Sequence, residues 1–90
     1  MKTIWKYGID ITNELYITMP YDTRILSVHL QYGKPCIWAI IYDDKEIKMV
    51  SRKFRWFGTG HPIPEGEKLI YIGTVLMQND SLVFHLFEVL

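Results

Sequence analysis

Apolar and polar residues alternate with a period of two along most of this chain, and Gly, Pro, Asn and Asp interrupt the alternation at short intervals. No window carries apolar side chains at the i, i+3, i+4, i+7 spacing of an amphipathic helix, so the pattern excludes a helical bundle. Seven strands are predicted, over residues 4–9, 14–19, 24–31, 36–42, 47–57, 69–76 and 82–89. In the second, Leu15, Ile17 and Met19 share a face, and Pro20 ends it. In the third, strict alternation sets Leu26, Val28 and Leu30 on one face and Ile25, Ser27 and His29 on the other. The run from Cys36 to Tyr42 is nearly all apolar and reads as the central, most buried strand. The fifth strand is long enough to carry a bulge in its middle. Turns are predicted at Tyr32-Gly33-Lys34-Pro35 and at Gln78-Asn79-Asp80-Ser81, with a hairpin connection at Asp43-Asp44-Lys45. A short helical turn is placed near Asp10-Ile11-Thr12. Short connections favour antiparallel pairing of consecutive strands. The expected fold is a single small all-β domain over residues 1–90, of about seven mostly antiparallel strands, built as a sandwich or a partly open barrel.

Composition narrows the function classes. Ten Lys and Arg balance ten Asp and Glu, which argues against a polycation that coats duplex nucleic acid. The longest apolar run is too short to span a bilayer, and the first seven residues hold no apolar stretch of the signal-peptide kind. The expectation is a protein without a membrane partner. One cysteine excludes an internal disulfide and a cysteine-based zinc site. Three Trp, six Tyr and four Phe are more rings than so small a core can bury beside its Leu, Ile and Val. Some rings must therefore reach the surface, as an interface or a stacking platform, or simply as half-buried strand residues.

Charge is balanced overall but not locally. Lys48, Arg52, Lys53 and Arg55 fall close together with no acid among them. If Phe54 and Trp56 point inward, Lys53, Arg55 and Phe57 share the outer face, which leads into Gly58-Thr59-Gly60-His61. Glycines let a backbone come close to a ligand and aim its N–H groups at one point. Thr59 adds a hydroxyl, His61 a ring nitrogen, and Arg a bidentate grip on phosphate. With Trp5 as a further ring, the candidate ligand site comprises Trp5, Arg52, Lys53, Arg55, Phe57, Gly58, Thr59, Gly60 and His61. These parts suit a small anionic aromatic ligand, a nucleotide. The loop is neither a Walker loop nor a dinucleotide fingerprint. A tight turn beside a solvated basic edge would look the same.

Other residues carry less. His29 and His85 lie on strands, where a hydrogen-bonded structural histidine is the ordinary case, and no spacing makes a metal site of them with His61. Cys36 reads as a buried thiol. Asp43 and Asp44 read as solvated turn acids. Trp5 and Tyr7 share a face of the first strand.

The chain resembles a family of very small proteins encoded by phages and mobile elements. The resemblance rests on Ile4-Trp5-Lys6-Tyr7, Ile25-Leu26-Ser27-Val28 and Pro35-Cys36-Ile37-Trp38-Ala39. It is most specific at Gly58-Thr59-Gly60-His61-Pro62-Ile63-Pro64. It closes with Tyr71-Ile72-Gly73-Thr74 and Val83-Phe84-His85-Leu86-Phe87-Glu88. That family has mostly been a domain of unknown function. The chain also looks like phage anti-defence sponges, which sequester the cyclic nucleotide signals of bacterial immunity without cleaving them. The resemblance implies a cyclic di- or trinucleotide ligand, no cofactor, a homo-oligomer and a place in the cytoplasm of the infected host.

Two functions of different class follow. The first is non-catalytic sequestration of a cyclic nucleotide by an aromatic and arginine pocket beside the glycine loop. The second is a protein-binding module that inhibits a host enzyme, for which exposed rings and a basic strand serve equally well. A virion or packaging component is a third, weaker reading. An enzyme is not expected, because the sequence holds no paired carboxylates, metal-ligand motif or nucleophile elbow.

Overall fold

The computed structural model describes residues 1–42 and 47–90. The predicted connection at Asp43, Asp44 and Lys45 lies outside them. The strands are β1 (Lys2–Gly8), β2 (Glu14–Pro20), β3 (Arg24–Gln31), β4 (Lys34–Tyr42), β5 (Met49–Gly58), β6 (Leu69–Met77) and β7 (Leu82–Val89). They form two antiparallel sheets, β1-β4-β3 and β2-β5-β7-β6, which are not closed into a barrel. Among the described residues there is no helix, and the segment around Asp10 to Thr12 is irregular instead. Its neighbour Ile9 is drawn into the core, and the Ile9 amide donates to the Pro35 carbonyl at 3.0 Å.

Among the described residues only β3–β4 and β6–β7 pair as chain neighbours; β1–β4, β2–β5 and β5–β7 pair across the chain. The expectation that consecutive strands pair is thus corrected. Nearly every strand has one apolar face, and two layers bury those faces only if the chain passes between sheets. The β3–β4 hairpin turns on two residues, Tyr32 with φ of 51° and Gly33 with φ of 76°, while Lys34 and Pro35 belong to β4. Positive φ at both central residues matches the right-handed twist of the strands it joins.

The predicted bulge in β5 is absent; the bulges fall in β3, between Ile25 and Ser27, and in β6, between Tyr71 and Gly73. The β3 bulge overturns the predicted face assignment. The extra residue, Leu26, changes the parity, so Ile25, Val28 and Leu30 turn to the core and Leu26 is 42% exposed.

Phe54, Met19, Ile37, Leu86 and Val28 are the largest fully buried side chains. Each contributes on the order of 1.5–3 kcal/mol through burial. Tyr7, Leu15, Ile17, Ile72, Met77 and Phe84 pack around them. Trp56 keeps its indole N–H satisfied by donating to the Asp10 carbonyl at 3.0 Å. The two sheets approach most closely where β3 meets β6. There Gly73 lies against Val28, and a Cβ on Gly73 would stand 2.7 Å from Val28 Cγ1.

Candidate functional site

The two bulges lie in the two strands that meet at this seam. A bulge bends its strand and re-aims the side chains around it. Beyond the Val28–Gly73 contact a cleft of about 380 Å³ opens, lined by Thr23, Arg24, Ile25, Leu26, Arg52, Ile70, Tyr71, Ile72 and Glu88. That volume lies within the roughly 300–1,000 Å³ typical of small-molecule sites. Leu26, Ile70 and Tyr71 on its walls are 42%, 49% and 57% exposed.

Its floor is polar. Alternation along β5 turns Arg52 inward with Phe54 and Trp56, and alternation along β7 turns Glu88 inward with Leu86 and Phe84. The two meet as a bidentate pair: Arg52 Nε and Nη2 donate to Glu88 Oε2 and Oε1, both at 2.6 Å. Arg52 Nη1 donates to the Thr23 carbonyl, also at 2.6 Å. Fork geometry of this kind is among the stronger charge-assisted arrangements. Thr23 is only 5% exposed, and its hydroxyl Oγ1 has no hydrogen-bond partner among the described residues. A buried hydroxyl without a partner is costly. Burial raises the pKa of Tyr7 above the ordinary phenol value, and the Arg52 charge opposes that rise.

The predicted site residues do not converge on one pocket. Lys53, Arg55 and Phe57 do share the outer face of the second sheet, as alternation requires. Arg55 stands over the Phe57 ring at 5.1 Å and donates to Glu67 at 2.8 Å. Lys53 pairs with Glu14 at 3.3 Å and lies 6.0 Å from the Tyr16 ring. Phe57, at 6% exposure, packs edge-to-face with Phe87 at 5.7 Å, so it offers no open ring to a base. Arg52 faces the opposite side of β5 and belongs to the cleft. Trp5 lies in the other sheet, 54% exposed, with its ring 6.5 Å from Tyr7.

Gly58, Thr59, Gly60 and His61 form a tight turn closed by the His61 amide donating to the Gly58 carbonyl at 3.1 Å. Gly60 supplies the positive φ, 87°, that the third position of such a turn demands. The His61 ring lies over Gly58, where a Cβ would be 2.8 Å from His61 Cε1. Smaller hollows of about 310 and 230 Å³ flank the turn, both lined by Gly58, His61 and Phe84. The turn therefore sits beside clefts, but no Lys or Arg lines either of them.

A polar chain connects this turn to the wall of the larger cleft. Thr59 Oγ1 lies 2.8 Å from His85 Nε2, Thr74 Oγ1 lies 2.9 Å from His85 Nδ1, and Tyr71 Oη lies 2.5 Å from Thr74 Oγ1. His85 is thus held at both nitrogens, in the hydrogen-bonded structural role read for it from the sequence. Among the described residues no three His, Cys, Asp or Glu side chains cluster as metal ligands would.

Sequence reasoning missed Thr23, Arg24, Leu26, Ile70, Tyr71 and Glu88. A signal existed for Glu88: it is the one acid in the 82–89 strand and shares parity with Phe84 and Leu86. An acid on an apolar face calls for a buried cation, and Arg52 has matching parity on β5. No comparable signal marked Leu26, Ile70 or Tyr71, since their placement depends on bulges.

A family model described as a domain of unknown function, DUF7352, matches residues 1–90. No curated protein and no solved structure matches the chain.

Proposed function

The chain belongs to the DUF7352 family, whose description assigns no activity, and from its own geometry we propose a non-catalytic protein that binds and sequesters a nucleotide in the β3–β6 cleft. The observation that carries this reading is the combination of apolar walls and a polar floor. Ile25, Leu26, Ile70 and Ile72 present flat apolar surface suited to the faces of a heterocycle. Tyr71 borders the cleft by its place on β6, while its ring turns to the outer face, edge-to-face with Phe87 at 5.4 Å. The Glu88 carboxylate keeps lone pairs for the N–H groups of a base edge, and Arg52 keeps two N–H donors. Arg24, exposed at the edge of the cleft, is placed to meet phosphate.

Within this proposal the ligand is a cyclic nucleotide of bacterial immune signalling, and the protein acts as a phage sponge in the host cytoplasm. The resemblance to anti-defence sponges supports that finer reading. Nucleophile activation has no visible support in the cleft, whose lining holds no Ser, Cys, His or Lys.

The test is a thermal-shift panel of linear and cyclic mono-, di- and trinucleotides, followed by recovery of the ligand. A ligand at 100 times its dissociation constant stabilises the fold by about 2.7 kcal/mol, which on a domain of this size is on the order of 10 °C. The proposal requires such a shift for at least one cyclic member, return of that ligand intact after denaturation, and loss of the shift in Leu26→Trp. A panel with no shift removes the nucleotide. A ligand returned hydrolysed removes sequestration.

A further inference from the structure

We infer that β1 is the interface with a second copy of this chain, paired antiparallel to the partner's β1 across a two-fold axis at Trp5. Four strands lie at sheet edges. The edges of β3 and β6 abut each other, and the inward side chains of β2 are half-buried or buried. In β1 every residue but Tyr7 is exposed, with Ile4 65% exposed on one face and Trp5 54% on the other. The second sheet therefore does not cover β1 from Lys2 to Lys6, and an incoming strand meets no obstruction on either face. A row of open backbone N–H and C=O groups flanked by apolar side chains is a template for another strand.

The usual guards of such an edge are missing here. Among the described residues of β1 there is no proline and no bulge. Lys6 leans away from the free edge instead of across it. Its Nζ lies 5.9 Å from the Trp38 ring and donates to Gln31 Oε1 at 2.6 Å, on the far side of β4.

The side chains also choose the partner and the register. Opposed residues of an antiparallel pair share a face, so a two-fold axis normal to the sheet sets one residue opposite its own copy. With Ile4 on the axis, Lys2 faces the partner's Lys6; with Lys6 on the axis, the two Lys6 side chains face each other. Like charges directly opposite are destabilising. With Trp5 on the axis, the strand pairs along its whole length: Trp5 with Trp5, Ile4 with Lys6, Thr3 with Tyr7 and Lys2 with Gly8. An aromatic pair then occupies the centre, and no lysine faces a lysine. Registers centred on Thr3 or Tyr7 also keep the lysines apart but pair only three residues of each strand, so this register alone joins the whole of β1 with no lysine facing a lysine.

The experiment combines sedimentation velocity with cross-linking. Wild-type protein at 10–200 μM, on the order of ordinary association constants, is expected to sediment at twice 10.7 kDa. Trp5→Glu sets two carboxylates opposite each other on the axis. It should weaken the dimer at least tenfold while its circular dichroism stays that of the wild type. In a Cys36→Ser background, Ile4→Cys mixed with Lys6→Cys should form a disulfide-linked heterodimer on mild oxidation, while either variant alone should not. These cysteines sit at exposed positions, so the cross-linking result stands even if Trp5→Glu fails to fold. A monomer throughout the concentration range overturns the inference. So does Ile4→Cys cross-linking to itself, because that reports a different register.

Discussion

Gly73 and Val28 approach so closely across the β3–β6 seam that a single methyl on Gly73 would fall 2.7 Å from Val28 Cγ1. This contact is where the two sheets come together, and the cleft begins beyond it. Gly73 has no positive φ, so its role is spatial rather than conformational. Gly73→Ala should destabilise the fold by about 1–3 kcal/mol through overpacking. Urea unfolding would show it. Combining it with Val28→Ala, which removes the offending methyl, should cost less than the sum of the two single changes. Strict additivity would show that the seam does not depend on this pair.

The Arg52–Glu88 pair should be worth more intact than halved. The two side chains are 19% and 10% exposed, so either partner alone is a poorly hydrated charge. Arg52→Met should cost about 3–5 kcal/mol, as breaking a buried pair generally does. Arg52→Met with Glu88→Leu should lie closer to wild type than Arg52→Met alone, because it leaves no orphan charge. The same double variant should not bind nucleotide, which separates the floor's part in binding from its part in folding.

Tyr7 sets an alkaline limit. Burial raises its folded-state pKa above the unfolded value, with Arg52 partly offsetting the rise. A raised phenol pKa contributes stability that is fully present below the unfolded value and is lost as pH climbs through the folded one. Wild type and Tyr7→Phe should therefore show the same pH dependence of stability up to about pH 10, the ordinary phenol value. Above it the wild type should lose stability faster. Parallel curves up to the most alkaline pH that the fold tolerates would mean that the Tyr7 hydroxyl is not desolvated as described.

Thr74 holds the polar chain on the outer face. Its hydroxyl serves both Tyr71 and His85 Nδ1. Thr74→Val removes both hydrogen bonds and should cost about 1–2 kcal/mol, whereas Thr74→Ser should retain most of the stability. Guanidinium melts of the pair decide this. Equal losses would mean that the hydroxyl's two hydrogen bonds contribute no more than the methyl group does.

The sequence was a good guide wherever alternation ran unbroken. Leu15, Ile17 and Met19 pack on one side of β2, and Phe54 and Trp56 turn inward while Lys53, Arg55 and Phe57 turn outward. The all-β class, the seven strands and the burial of the 36–42 run followed from the same signal. Alternation cannot announce an inserted residue, so Leu26 was set on one face with Val28 and Leu30, and the cleft was invisible. Nor does it report which strands pair. Trp5, in one sheet, was grouped with Arg55, in the other. Arg52 and Arg55 are three residues apart and so face opposite sides of β5, a consequence of parity that grouping by charge overlooked.

An amide NMR titration of the assigned protein with cyclic di-GMP, cyclic di-AMP and cyclic GMP–AMP tests the central claim most directly. The account predicts that at least one of them shifts a contiguous set of resonances at Thr23, Leu26, Arg52, Ile70 and Tyr71, saturably and with the ligand unchanged. No response to any of the three, or shifts confined to Gly58, Thr59, Gly60 and His61, would contradict the assignment of the β3–β6 cleft as the nucleotide site.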